Sequence, residues 1–300
     1  MPGTAAKETS ELRVDSMRDA LTRQLLALSA IALLLHASAR IEARTDATVE
    51  EQLQMVRAIE TQLEARSAPA EEWQQIERMY SELLTLHPHD ASVRKARGEF
   101  LWGRGERERA MAEWSSAEEI DPANGAVLEH LGGGWLAAGD ARKSAAYYAR
   151  ATRAEPGNAA FHFALANVTF LFRHDLLDAT RPDAEAVLQN ALTHFAEASR
   201  LEPLNADYAR AYAETFYILA KPDWPAALAA WSHVLEVSPK KDFALVNLAR
   251  VHLQLRQFDA SEERLSQIQD AAYEGITARI RSQVALRRAE SAALPLGSPQ

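Results

Sequence analysis

The chain has no cysteine, which excludes disulfides, thiolate metal sites, a cysteine nucleophile and a lipid anchored through an N-terminal cysteine. Glycine and proline are scarce, 12 of each in 300 residues, and no valine- or isoleucine-rich alternating run is present. With Ala, Leu, Glu, Arg and Gln abundant, these shortages favour helices over strands. Positive charge is also short: 33 Lys and Arg stand against 42 Asp and Glu, for a net charge of −9. Binding to nucleic-acid phosphates needs clustered cations, so the balance argues against a nucleic-acid partner. The apolar stretch LLALSAIALLL at 25–35 is eleven residues long, too short for a hydrocarbon core that takes a helix of about 20 residues. A hydrophobic fraction of 47% is nevertheless enough for a core, in one large or two ordinary domains.

That short stretch reads as the apolar centre of a secretory signal, with Ala37-Ser38-Ala39 supplying the small-x-small cleavage site behind it. Residues 1–39 are thus expected to be a signal peptide, with Arg40 opening the mature chain. The first 24 residues make a long, mixed-charge leader, and a start at Met17 gives a compact signal, MRDALTRQ, in which Arg18 and Arg23 outweigh Asp19. Two other readings remain open: an amphipathic or buried first helix of a cytosolic protein, and an uncleaved segment retained as a membrane tether. The first reading places the protein in the periplasm or outside the cell.

The prolines carry the strongest pattern. Pro88, Pro122 and Pro156 are 34 residues apart, and Pro203 and Pro239 follow at 47 and 36. Twelve residues before them stand Ile76, Ala110, Ser144, Ala191 and Ala227. Eight before stand Tyr80, Trp114, Tyr148, Phe195 and Trp231, an aromatic every time. Five before stand Leu83, Ala117, Ala151, Ala198 and Val234. Proline lacks an amide hydrogen and restricts the residue before it, so each ends a helix at a fixed length. Asn124, Asn158 and Asn205, two residues further on, are placed to cap the next helix.

This register, with Leu131-Gly132, Leu165-Ala166, Tyr212-Ala213 and Leu248-Ala249 in the preceding helices and Arg97-Gly98 as a departure, resembles that of tetratricopeptide-repeat proteins, whose 34-residue unit is a helix, a turn and a second helix. The likeness covers residues 57–273. It implies an all-α superhelix of antiparallel helix pairs: N-terminal helices with a degenerate repeat at 40–90, repeats at 91–124, 125–158, 159–205, 206–241 and 242–273, a capping helix at 274–290 and a fraying tail at 291–300. In the unit from 159, Leu176 and Leu177 are read as continuing the first helix, and Thr180 with Asp183 as a capping box around Pro182, so that lengthened helices jut from one edge. Ile276, Ile280, Val284 and Leu286 are the apolar side chains that the capping helix offers to the last repeat.

The resemblance also implies a non-catalytic scaffold whose groove, lined by first helices, takes a protein or peptide segment. Positions outside the packing set then become binding candidates: Lys95, Glu99 and Trp102; Glu129 and Gly133; Phe163, Asn167 and Phe170; Arg210, Glu214 and Tyr217; Asn247 and Arg250. Trp102 and Phe170 could equally be core between repeats. The lysine, asparagine and arginine arrangement by which chaperone-binding relatives hold a terminal carboxylate is absent, since Phe163 and Glu129 occupy its slots. A cytosolic adaptor and an accessory subunit of an envelope enzyme complex are the alternatives.

Other motifs reduce to packing. HPHD at 87–90 has metal-ligating atoms, but Pro88 and Asp90 already serve as helix stop and cap. LGGG at 131–134 lacks the preceding strand and following lysine of a phosphate loop; Gly132 is read as close packing, and Gly133 with Gly134 as either local laxity or a ligand floor. His130, His162 and His252 are read as satisfied surface groups. No nucleophile elbow, HExxH or dinucleotide fingerprint is present, so no cofactor and no metal is expected. A membrane contact is expected only through an uncleaved N-terminal segment.

Overall fold

Each proline stops its helix at the same distance. In the computed structural model, helices end at Leu86, Ile120, Ala154, Leu201 and Val237, two residues before Pro88, Pro122, Pro156, Pro203 and Pro239. The intervening residue leaves helical geometry, as a residue preceding proline must: φ and ψ are −128° and 64° at His87, −133° and 87° at Asp121, and −131° and 78° at Glu155. Its amide still donates to the carbonyl of the register residue five before the proline, Leu83, Ala117, Ala151, Ala198 or Val234, over 2.8 to 3.0 Å. Capping side chains then restart the chain. Asp90 Oδ1 accepts from the Ser92 amide at 2.7 Å, and Asn124, Asn158 and Asn205 accept from the amides of Val127, Ala160 and Asp207 at 3.2 Å. Such a cap contributes about 1 kcal/mol.

The structure describes residues 48–177 and 183–293; the signal segment, Thr180, Pro182 and the tail from 294 lie outside them. Contacts divide the chain into two units, Met1–Pro122 and Ala123–Gln300. In the first, α1 (Val49–Ala65), α2 (Ala70–Leu86), α3 (Ala91–Gly103) and α4 (Arg107–Ile120) stack as antiparallel pairs. The second holds α5 (Gly125–Ala137), α6 (Ala141–Ala154), α7 (Ala159–Leu171), α8 (Ala184–Leu201), α9 (Ala206–Thr215), α10 (Trp224–Val237), α11 (Lys241–Gln254), α12 (Phe258–Ser266) and α13 (Glu274–Ala293). Short 3₁₀ turns follow α9 at Phe216–Ile218 and precede α13 at Ala271–Tyr273. The described residues contain helices and turns and no strand.

The three register positions before each proline are all buried, from Ile76, Ala110 and Trp231 at 0% exposure to Tyr148 at 8%. Small residues bring helices within reach of these aromatics. A Cβ on Gly98 would stand 2.3 Å from Trp114 Nε1, and one on Gly132 would stand 3.1 Å from the Tyr148 ring. Where Arg97 replaces the large apolar residue, its guanidinium lies 2.8 Å from Glu113 and 3.8 Å from Glu77.

The turn inside each pair has its own repeat. Gly105 and Gly139, 34 residues apart, take φ of 81° and 82°, and Arg256 holds the equivalent place at 59°. At each, the next amide reaches back to a helical carbonyl (Glu106 to Leu101, Asp140 to Trp135, Gln257 to His252, all 2.9 Å), while the left-handed residue donates to Trp102, Leu136 or Leu253. This is the paired bonding of a Schellman stop, for which glycine avoids a steric cost.

Two expectations are corrected. The first helix of the unit from 159 is not lengthened: α7 ends at Leu171, and the chain turns so that Leu176, 1% exposed, packs among Ala141, Tyr148, Leu165 and Val187. Arg142 ties this segment down, its Nε donating to the Asp175 carbonyl at 2.6 Å and its terminal nitrogen to that of Leu177 at 2.7 Å. Asp183 caps α8 through the Glu185 amide at 2.9 Å. In α13, Ile280 and Val284 are buried against Val246, Leu253 and Leu265, whereas Ile276 and Leu286 are 37% and 61% exposed. The helix thus presents one narrow stripe to its neighbours.

Candidate functional site

In the first unit, α1 and α3 face each other across a charged and aromatic surface. Glu99 bridges it, meeting Arg57 at 2.8 Å and Lys95 one turn earlier at 3.1 Å. The Lys95 carbonyl accepts from Trp114 Nε1 at 3.2 Å. Trp102 is half-buried: its ring centroid lies 5.2 Å from that of Trp114, and the Arg107 guanidinium covers it at 3.7 Å. It therefore serves packing on one side and presents the other, under an arginine, to solvent.

A recess of about 200 Å³ opens beside these residues, lined by Arg57, Glu60, Trp73, Tyr80, Phe100 and Arg104 among others. Trp73 and Phe100 pack at 6.3 Å, and the Arg104 guanidinium sits 4.7 Å above the Trp73 ring. Burial raises the Glu60 carboxyl above its ordinary range, opposed by a hydrogen bond with Tyr80 and by Arg57. Burial, reinforced by Glu60, likewise pushes the Tyr80 hydroxyl up. None of Glu60, Trp73 or Arg104 stands out in the sequence. The signal available was that α1 and α3 are consecutive first helices whose exposed positions must face one another.

In the second unit, Glu129 and Gly133 of α5 flank the hydroxyl end of Tyr148. A Cβ on Gly133 would meet that oxygen at 3.4 Å, an ordinary contact. Burial, and then the Glu129 carboxylate, raise the Tyr148 hydroxyl. On α7, Phe163 lies 4.5 Å from Tyr208 and edge-on to Phe195 at 5.6 Å. Phe170 meets the same Phe195 at 6.1 Å and packs into two core clusters. The Asn167 amide is spent on its own helix, donating to the Phe163 carbonyl at 3.0 Å.

Arg210 pairs with Asp207 at 3.2 Å. Desolvation lifts the neighbouring Glu214 carboxyl while Arg210 pulls it down. Tyr217, Asn247 and Arg250 form one cluster: the Tyr217 hydroxyl donates to the Asn247 carbonyl at 3.1 Å, and Arg250 reaches the Asn247 side chain at 3.2 Å while lying 4.4 Å over the Tyr217 ring. Asn247 itself is 4% exposed, with its amide donating to Phe243. It cannot stand on a solvated wall as expected, because Tyr217 and Arg250 cover it.

The histidine expectation is also corrected. His162 and His252 are each 8% exposed; His252 Nδ1 meets Gln257 at 2.7 Å. His162 Nε2 lies 3.1 Å from the Pro156 carbonyl, to which it donates, and Nδ1 lies 2.9 Å from His194 Nδ1. Burial, then the neighbouring His162, hold His194 below its ordinary value. In HPHD, His87 Nε2 meets the buried Gln52 at 2.9 Å, and Asp90 is the cap already described. Among the described residues no group of three His, Asp or Glu is placed to hold a metal ion, and no helix is long and apolar enough to cross a membrane.

No protein-family model and no curated protein matches the chain. Among solved structures it is similar to YrrB, described as a TPR protein with an unusual peptide-binding site, at 16% identity over 70% of this chain and 97% of that one, with a TM-score of 0.51. It is also similar to pilF of Pseudomonas aeruginosa, at 15% identity over 84% of this chain and 99% of that one, with a TM-score of 0.51. Likeness at these identities establishes the fold: an all-α chain of antiparallel helix pairs stacked in the tetratricopeptide manner.

Proposed function

We propose that this chain is a non-catalytic scaffold that binds a protein or peptide segment along the first helices of its repeats, and that residues 1–39 direct its export. The observation that carries the binding reading is the character of those helices' outer surface. Trp102 of α3, Phe163 of α7 and Tyr217, which lies in the 3₁₀ turn just after α9 and not on that first helix as expected, each pack against a buried aromatic while staying partly open to solvent. Trp102 lies under Arg107 and Tyr217 under Arg250, and Trp, Tyr and Arg are the residue types that dominate binding energy at protein interfaces. The charged groups around them, the Glu99 and Arg57 pair and the Arg250 guanidinium over the Tyr217 ring, provide a polar rim. YrrB, of the same fold, is described as having a peptide-binding site, and a peptide in a groove of helices is a recurrent mode of recognition.

The test is affinity capture with the chain, compared with a Trp102→Ala, Phe163→Ala, Tyr217→Ala variant whose helicity is matched by circular dichroism. A partner recovered by the first and lost by the second supports the reading. Equal recovery of every partner refutes it. Export is tested separately, by fractionation and N-terminal sequencing: a mature chain beginning at Arg40 supports it, and a cytosolic chain retaining residues 17–39 overturns it.

A further inference from the structure

The recess between α1, α2 and α3 is small. Its volume of about 200 Å³ is below the range of about 300 to 1,000 Å³ for clefts that enclose a whole small molecule, so it has room for one side chain. Trp73 and Phe100 form its apolar wall, their rings 6.3 Å apart, and Tyr80 backs Phe100 at 5.6 Å. Three carboxyls, Glu60, Glu64 and Glu99, share the lining with two guanidiniums, Arg57 and Arg104.

Both guanidiniums are engaged elsewhere. Arg57 reaches Glu99 at 2.8 Å, and Arg104 lies 4.7 Å over the Trp73 ring. Glu99 has a second cation in Lys95 at 3.1 Å. Glu60 and Glu64 have no such contact: among the described residues neither carboxyl makes an ion pair, and Glu60 Oε1 is buried with no hydrogen-bond partner. The two stand one turn apart on α1, where like charges disfavour each other. Burial raises the Glu60 carboxyl, and Glu64 adds to the rise against the opposing pull of Tyr80 and Arg57. Glu60 lies twelve residues, about 18 Å, along α1 from Thr48, the first described residue. Two carboxyls without a cation thus stand beside an aromatic wall. What this combination lacks is a compact positive charge on an apolar stem.

We propose that the recess takes a lysine side chain of the partner segment, with the four-carbon stem against Trp73 and Phe100 and the ammonium between the Glu60 and Glu64 carboxyls. The inference rests on the first-helix binding reading, to which it adds the chemistry of one anchor. Lysine fits better than arginine because its ammonium is a compact charge with three donors, whereas a planar guanidinium needs a wider, forked acceptor. Aromatic rings attract cations, and ionised carboxyls are the stronger hydrogen-bond acceptors. An anionic anchor would be repelled by the two carboxyls, and an apolar one would leave both unmet.

The experiment titrates the full chain with n-butylammonium, the outer portion of a lysine side chain, and follows the Trp73 indole N–H signal by nuclear magnetic resonance; Trp73→Phe assigns that signal. A saturable shift at millimolar concentration is expected, weakening as salt rises. The affinity should fall at least fivefold in a Glu60→Gln, Glu64→Gln variant. Glu64→Lys, at an exposed position with no ion pair to lose among the described residues, should abolish binding by supplying an ammonium from the chain itself. No saturable shift up to tens of millimolar overturns the proposal. So does unchanged affinity in both variants, or equal affinity for n-butanol, n-butyrate or n-propylguanidinium. The probe has no peptide backbone, so its result and partner capture are read separately. Butylammonium can bind a chain whose Trp102→Ala, Phe163→Ala, Tyr217→Ala variant still captures every partner, and a failed titration leaves the capture result standing.

Discussion

Gly98→Ala adds one methyl group where a helix backbone lies against a buried indole. The new Cβ would lie 2.3 Å from Trp114 Nε1, 2.5 Å from Cδ1 and 2.9 Å from Cε2, far inside van der Waals contact. The indole cannot simply swing away. It is 2% exposed, its nitrogen donates to the Lys95 carbonyl at 3.2 Å, and Trp102 lies 5.2 Å off. Overpacking a rigid core costs about 1–3 kcal/mol, here at the upper end, and displacing the indole weakens a hydrogen bond worth about 1 kcal/mol. Alanine returns about 1 kcal/mol through helix propensity. The net expectation is a loss of about 3 kcal/mol, or roughly 6–12 °C in melting temperature for a chain of this size. Thermal melts followed by far-ultraviolet circular dichroism read it, with Gly103→Ala as the control, since a Cβ there meets nothing within 4 Å. A Gly98→Ala chain that melts with or above the unaltered one would refute the reasoning that glycine is present for clearance.

Three other perturbations probe different physics. Arg256→Gly relieves a left-handed residue at φ 59°, a conformation costing about 1–2 kcal/mol outside glycine; after the extra freedom glycine gives the unfolded chain, a gain of about 0.5–1 kcal/mol is expected in urea denaturation, and a loss would contradict the turn assignment. Glu60 holds its proton more tightly folded than unfolded, so its stabilising share is present below pH 4.5 and is lost as pH rises through the raised value. Glu60→Gln should therefore melt higher than the unaltered chain at pH 7 and close to it at pH 4; the same difference at both pH values would count against burial as the cause. His194 is depressed, chiefly by burial and then by His162, with Glu197 opposing, so its contribution is present above pH 6.5 and is lost as pH falls through the folded value. Between pH 7 and pH 5 the melting temperature should drop more in the unaltered chain than in His194→Gln, and parallel curves would exclude this pair as the source.

Much of this architecture could be read from one strand of evidence, the prolines and the residues five, eight and twelve places before them. Those positions are local, and what they specify, a helix stop and a buried stripe, is local too. The misreadings arose where tertiary contacts decide. Leu176 and Leu177 look like helix in sequence, but Leu176 gains more by closing on Tyr148 and Val187, with Arg142 supplying hydrogen bonds to the unwound backbone. Ile276 and Leu286 are apolar yet exposed, because α13 has neighbours along a single stripe. Asn247 occupies a groove position on its own helix and is hidden by Tyr217, 30 residues away. The His162 and His194 contact and the Glu60 recess both join side chains far apart in the chain, which no single-helix pattern reveals. The left-handed Gly105 and Gly139 were legible in principle, being one repeat apart.

The central functional claim is that the first helices carry the binding surface. It is tested most directly by amide hydrogen exchange, read by mass spectrometry, with and without a saturating peptide selected by display against the chain. The account predicts slowed exchange in first helices such as α3, α7 and α9, abolished by the Trp102→Ala, Phe163→Ala, Tyr217→Ala variant. Protection confined to second helices, or unchanged in that variant, would contradict it.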